Sequence, residues 1–210
     1  MRRPNRQTQT GMKTLLHMLG ALVYFGVLTV AFAETNAPTL LICRITGGPP
    51  LPGSTNTGPR IIAALWSDGR IVHSEAPLKG GPPFRAGRFQ PERLVTLLDT
   101  LDRKGAFSDQ ALRRPYVGPD AGFITILIDD GRRRLKLQSW HELFEENTNL
   151  VATAQAIATL DGRKRDEVLA QQPEEYRRFR NIWAGIRQAV AAVIPKETRP
   201  FDGRIQILNR

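Results

Sequence analysis

His141-Glu142-Leu143-Phe144-Glu145 is the stretch whose residue types and spacing come closest to a reactive centre. On a helix, His141 and Glu145 would share one face and could both reach a metal ion, with Glu142 placed as a base. The pattern departs from the helical zinc motif His-Glu-x-x-His at its fifth residue, so a third ligand would have to come from elsewhere. The same residues have a structural explanation. Ser139 as N-cap and Glu142 three residues on form a capping box, which uses both without chemistry. His73 is the other histidine beyond residue 33, expected on a strand opposite Ala64. His73 and His141 follow similar hairpins, so a shared pocket is conceivable. Ser74 is no nucleophile for His73, because strand neighbours point to opposite faces. His141, Glu142, Glu145 and His73 are the catalytic candidates, and no metal or cofactor is assigned. The chain has no Gly-x-Ser-x-Gly elbow, phosphate loop or paired-cysteine site.

The second kind of candidate is electrostatic. Arg132, Arg133, Arg134 and Lys136 form one basic cluster, and Arg177, Arg178, Arg180 and Arg187 another. The first four are the candidate binding residues for an anionic polymer, although such clusters are commonly solvated faces. Tyr176 and Trp183 look like stacking partners beside the second cluster until helical spacing places them on a buried stripe. That argues against nucleic acid, which needs exposed aromatics next to the charge.

Two hairpins must position these groups. Ile61 to Ser67 leads through Asp68-Gly69 into Arg70 to His73, and Phe123 to Asp129 leads through Asp130-Gly131 into Arg132 to Leu137. Asp-Gly suits a two-residue turn with positive φ at both positions. That turn predicts Trp66 opposite Ile71 and Ala64 opposite His73 in the first hairpin. In the second it predicts Ile126 opposite Leu135, Ile124 opposite Leu137, Thr125 opposite Lys136 and Leu127 opposite Arg134. One face of the second hairpin is then apolar and the other largely basic.

Helices follow each hairpin. Pro91 opens one that carries Leu94, Leu97, Leu98 and Leu101 and stops at Lys104-Gly105, and a second opens at Ser139. The longest runs from Glu174 to about Ile194, with Tyr176, Phe179, Ile182, Trp183, Ile186, Val190 and Val193 on one stripe and Pro195 as its stop. A short helix over Arg163 to Gln171 is expected, and Asn147 to Leu160 fits helix or strand. The fold class expected is α+β: an antiparallel sheet of four or five strands built from two ββα units, with helices packed on one face. Leu40 to Ile45 adds an edge or central strand.

Residues 12–33 read as an export leader. Met12-Lys13-Thr14 precedes an apolar run that ends Ala31-Phe32-Ala33, so cleavage before Glu34 is expected, with an uncleaved membrane anchor as the alternative. The organisation expected is a signal peptide over 1–33, an N-terminal strand and flexible connector over 34–59, an α+β domain over 60–195 and a polar tail over 196–210. Within that tail Arg204 to Leu208 could pair with a sheet edge. Losing the leader removes four basic residues and no acid, which lowers the net charge from +10 to +6. Cys43 is the only cysteine, so no intramolecular disulfide can form, and its apolar neighbours predict burial.

Leu65-Trp66-Ser67-Asp68-Gly69-Arg70-Ile71-Val72, Ser139 to Asn147 and Pro173 to Phe179 give most of the mature chain a resemblance to a family of exported bacterial proteins with no assigned activity. The resemblance implies export and brings no catalytic residues with it. The functional expectation is an exported, periplasmic or extracellular, non-enzymatic binding module, acting on an envelope or extracellular partner through the sheet face and loops opposite the helices. The alternatives are a metal-dependent enzyme built on His141, Glu142 and Glu145, and a polyanion-binding module. Membrane contact is expected only through the leader.

Overall fold

The computed structural model describes residues 39–46, 60–119 and 121–205. The leader, the 47–59 connector and the last five residues lie outside them. Nine strands and four helices are described: β1 Thr39–Thr46, β2 Arg60–Trp66, β3 Arg70–Ser74, β4 Phe84–Arg88, α1 Pro91–Arg103, β5 Phe123–Asp129, β6 Arg134–Ser139, α2 His141–Glu145, β7 Leu150–Ala152, β8 Ile157–Thr159, α3 Arg165–Ala170, α4 Glu174–Val193 and β9 Arg199–Phe201. Seven strands form one antiparallel sheet in the order β6-β5-β1-β2-β3-β4-β9, and β7 and β8 form a separate hairpin. The molecule is mixed α+β. The sheet is larger than expected because β4 and β9 extend it. β4 also intervenes between the first hairpin and α1, whereas α2 follows β6 after one residue.

Period-2 alternation sorts the strands between two cores. On one face Leu41, Cys43, Ile45, Leu65, Ile71, Ile124, Ile126, Ile128, Leu135 and Leu137 join Leu94, Leu98 and Leu101 of α1 and the whole apolar stripe of α4. On the other face Ile42, Ile61, Ala64, Trp66, Val72 and Ala86 are buried, with Phe84, Phe201 and Ile205 packed against them. The long-helix stripe is the best-read element. All seven of its expected residues are buried, and Pro195 follows the last turn. α3 is shorter than the segment expected for it, and the ambiguous segment 147–160 is extended where it is regular.

Both hairpins form, and neither has the expected register. In the first, Ala63 pairs with His73, Ala64 with Val72 and Leu65 with Ile71. The loop takes three residues, with Gly69 at φ +83° and its N–H donating to the Trp66 carbonyl at 3.1 Å. The one-residue difference exchanges the faces: Leu65 and Ile71 point to the helices, Trp66 and Ala64 away from them. His73 therefore does not oppose Ala64. In the second hairpin Ile126 pairs with Leu137, Ile124 with Ser139, Thr125 with Gln138, Leu127 with Lys136 and Ile128 with Leu135. The turn is centred on Gly131-Arg132, with positive φ at Gly131 alone among the pair, the pattern of a type II′ turn. This shift is two residues, so every side chain keeps the face expected of it.

Asp130 explains the displaced turn. Its Oδ1 accepts the N–H groups of Arg132 at 2.9 Å and Arg133 at 2.7 Å, and its Oδ2 accepts Arg133 Nε at 2.8 Å. Burial alone would raise the Asp130 carboxyl pKa. The Arg133 and Arg132 N–H groups and the Arg133 guanidinium overcome that and hold it below the ordinary range.

Candidate functional site

The polar residues of α2 all turn inward. Ser139 ends β6, and its hydroxyl accepts the His141 N–H at 3.3 Å while lying 2.7 Å from His141 Nδ1. The His141 ring, 5 % exposed, meets the Trp183 indole edge-on at 5.0 Å. Burial first, then the positive charges of Arg180 and Arg187, push its pKa down to about 2, so the imidazole is neutral. A neutral ring with Nδ1 as acceptor satisfies the Ser139 proton.

Glu142 and Glu145 each meet an arginine of α4. The Trp183 Nε1–H donates to Glu142 Oε1 at 2.6 Å, and Arg187 Nε reaches both Glu142 oxygens at 3.0 and 3.1 Å. Arg180 grips Glu145 with two bonds of 2.8 and 2.9 Å, while the Ala152 N–H donates to Oε1 at 2.9 Å. Tyr176 completes this end by donating to the Ala152 carbonyl at 2.8 Å. Residues three apart on α2 thus pair with residues seven apart on α4, in reverse order. The two ion pairs fasten the small helix and β7 to the long helix in a half-buried setting. There the charge-assisted contacts are screened less than on an open surface, and removing one partner would leave the other charge part-buried and unpaired.

The capping box expected at Ser139 and Glu142 is not made. Trp140 occupies the N-cap without a side-chain bond; Ser139, one residue earlier, accepts the His141 N–H, but Glu142 does not reach back because it is committed to Arg187 and Trp183. The metal motif fares similarly. Glu145 and Glu142 face guanidinium groups, His141 Nδ1 faces a hydroxyl, and no group of three His, Cys, Asp or Glu that could hold a metal is found among the described residues. His73 does not join them. It lies on β3, with β2, β1 and β5 between it and β6, a lateral separation of about 19 Å at the usual strand spacing. Its Nδ1 lies 3.2 Å from the Ser74 carbonyl. Ser74 itself is buried and donates to the Gly81 carbonyl at 2.6 Å.

Cys43 is buried on β1 close to this cluster. Burial pushes its thiol up to about 11 against the opposing influence of Arg187, so it stays protonated at neutral pH. It lacks the thiolate character of a nucleophile.

The basic cluster on the second hairpin divides. Arg133 is a clamp: besides Asp130 it reaches Asp99 at 3.4 Å and Asp102 at 3.7 Å on α1, and its guanidinium lies over the Phe107 ring at 5.4 Å. Arg134 approaches Asp129 at 3.8 Å. Arg134 and Lys136 are exposed on the same side of β6, and Arg132 is exposed in the turn. The second basic cluster divides too, with Arg180 and Arg187 inside and Arg177 and Arg178 outside.

Sequence reasoning did not find the two α2–α4 ion pairs, although Arg180 and Arg187 lie two turns apart on one helix flank, which was a usable signal. It also passed over Arg165. Its Nη2 meets the carbonyls of Leu150 at 2.9 Å, Glu145 at 3.3 Å, Asn147 at 3.3 Å and Thr148 at 3.4 Å, so the loop after α2 is wrapped round one guanidinium. The chain matches no known family model and no curated protein.

Proposed function

We propose that this chain is an exported, non-enzymatic binding module that takes an anionic partner of the cell envelope or its surroundings along the basic edge of the sheet. One contrast carries the reading. The acid–base candidates of α2 are consumed by intramolecular partners inside the fold, while Arg132 and Lys136 stand exposed at the end and outer strand of the sheet, with the Asp129-paired Arg134 exposed between them. The leader pattern of residues 12–33 supports action outside the cytoplasm. The two Asp-Gly-Arg hairpins on either side of β1 support a duplicated hairpin–helix design, with β4 and β9 as additions to it.

Retention on an anionic matrix tests the site. The unaltered protein should be retained and elute as salt rises, because bound cations displace counterions from the polymer. Arg132→Ala, Arg134→Ala and Lys136→Ala together should abolish that retention. Arg133→Ala should leave it in place, since that guanidinium is bound to three carboxylates. Unchanged retention of the triple variant rejects the site.

A further inference from the structure

We propose that α2 is an acid-sensitive latch: uptake of one proton by the His141 ring releases α2 and the β7–β8 hairpin from α4 while the seven-stranded sheet stays folded. The latch is independent of the anionic-partner reading.

The segment from His141 to Gln172 lies between the end of β6 and the start of α4, and β7 and β8 form a sheet of their own. α2 has five residues, α3 six and the two strands three each, all too short to persist without neighbours. Polar contacts supply much of the fastening to α4. They are the Glu142 and Glu145 ion pairs, the Trp183 bond to Glu142 and the Tyr176 bond to the Ala152 carbonyl. Val151 and Ala152 are fully buried, but Leu143, Ala154 and Leu169 are only partly buried against the core. Arg165 ties the segment to itself by binding the carbonyls of Glu145 and Leu150, so α2, the loop after it and β7 move as one piece. A contiguous piece held this way is the kind that opens ahead of the whole fold.

His141 sits at the centre of the fastening. Ser139 of β6 faces it, and so do Trp183, Arg180 and Arg187 of α4. Cys43 of β1 stands beyond Arg187 with its thiol neutral, and β5 offers the apolar Ile124 and Ile126 beneath α2. Its own helix brings Glu142 and Glu145, each already paired with an arginine. Two carboxylates and two guanidinium groups balance, so a proton on the ring adds an uncompensated charge at a buried position. It also upsets a hydrogen bond. The Ser139 hydroxyl accepts the His141 N–H and lies 2.7 Å from Nδ1; a protonated Nδ1 is a second donor aimed at that oxygen, and the hydroxyl proton loses its acceptor.

The direction of the effect follows. A solvated imidazole takes its proton near the ordinary value of 6.5, whereas the ring packed against α4 resists until about 2. Between those values the open form binds more protons than the closed one, so acid favours opening, about tenfold for each pH unit below 6.5. Opening takes the His141 ring off the Trp183 indole and frees the Tyr176 hydroxyl, so an aromatic surface appears in acid that is covered at neutral pH.

Hydrogen exchange on the full chain tests this, with each amide rate divided by its free-peptide rate at the same pH. From about pH 7 to about pH 5 the opening constant of the α2 amides should rise about twentyfold. At both values it should exceed that of the Ile126 and Ile128 amides of β5. His141→Gln, neutral throughout, should hold the change within about twofold. No rise in the unaltered protein overturns the latch, and so does a rise that survives in His141→Gln. Exchange of α2 and β5 at one rate also overturns it, because opening is then unfolding of the whole chain. If His141→Gln does not fold, the ring itself decides. Its Cε1–H signal in the unaltered protein should keep the neutral position down to about pH 5, and an ordinary titration near 6.5 overturns the proposal.

Discussion

The Asp68-Gly69-Arg70 and Asp130-Gly131-Arg132 turns begin with the same three residue types and end as different structures. In the first, the Asp68 carboxylate accepts the Arg70 N–H at 3.1 Å and its Nε at 2.7 Å, and the loop takes three residues. In the second, Asp130 reaches one residue farther to Arg133, and the turn moves on to Gly131-Arg132. The first turn is pressed into the sheet: the Gly69 carbonyl accepts the Phe89 N–H at 2.8 Å, and a Cβ on Gly69 would stand 2.5 Å from the Phe89 oxygen. The second turn touches nothing at Gly131 and is pinned by the side chain of Arg133. One turn is held by backbone packing and the other by an arginine.

Breaking each anchor in turn tests that difference. The largest effect is expected for Gly69→Ala, which adds an unfavourable φ to a collision with backbone that cannot swing aside. About 3 kcal/mol of stability should be lost, read as a lower denaturation midpoint at unchanged m. Arg133→Ala should follow at about 1–2 kcal/mol, most of it from Asp130 and the Phe107 contact, because Asp99 and Asp102 are exposed and their pairing is worth little. Melting of the variant should show the loss, and an unchanged midpoint would mean that the turn needs no clamp. Gly131→Ala should cost least, about 1 kcal/mol, since only the φ of +85° opposes it and space is open. A cost equal to that of Gly69→Ala would erase the contrast.

The comparison also shows what a sequence carries and what it does not. Apolar spacing placed Leu94, Leu98 and Leu101 and the seven buried residues of α4 correctly, because a helix stripe depends only on local period. The existence of the hairpins was legible for the same reason. Their registers were not, since the deciding bonds run from Asp68 to Arg70 and from Asp130 to Arg133, and the same dipeptide permits both. β4 was hidden because Phe84-Arg85-Ala86-Gly87-Arg88 has little apolar content and is a strand only through its neighbours β3 and β9. The candidate site divides likewise. His141, Glu142 and Glu145 were legible as a polar cluster on one small helix, but their partners came from α4, some forty residues later, and only the packed fold joins them.

β1 is the seam of the sheet, with β2 on one side and β5 on the other, and the two hairpins meet only through it. As the chain is made, β1 finds β2 after thirteen residues of connecting chain, but its other neighbour does not exist until residue 123 has emerged. During that interval Leu41, Cys43 and Ile45 sit on a strand with one unpaired side, the kind of surface that recruits other nascent chains. Without β1 the two hairpins would share no strand, and only the helices α1 and α4 packed against both would hold the two halves of the sheet together. The order of synthesis therefore leaves the first described strand half-paired until β5 has emerged, which places a vulnerability to misassembly at the centre of the sheet.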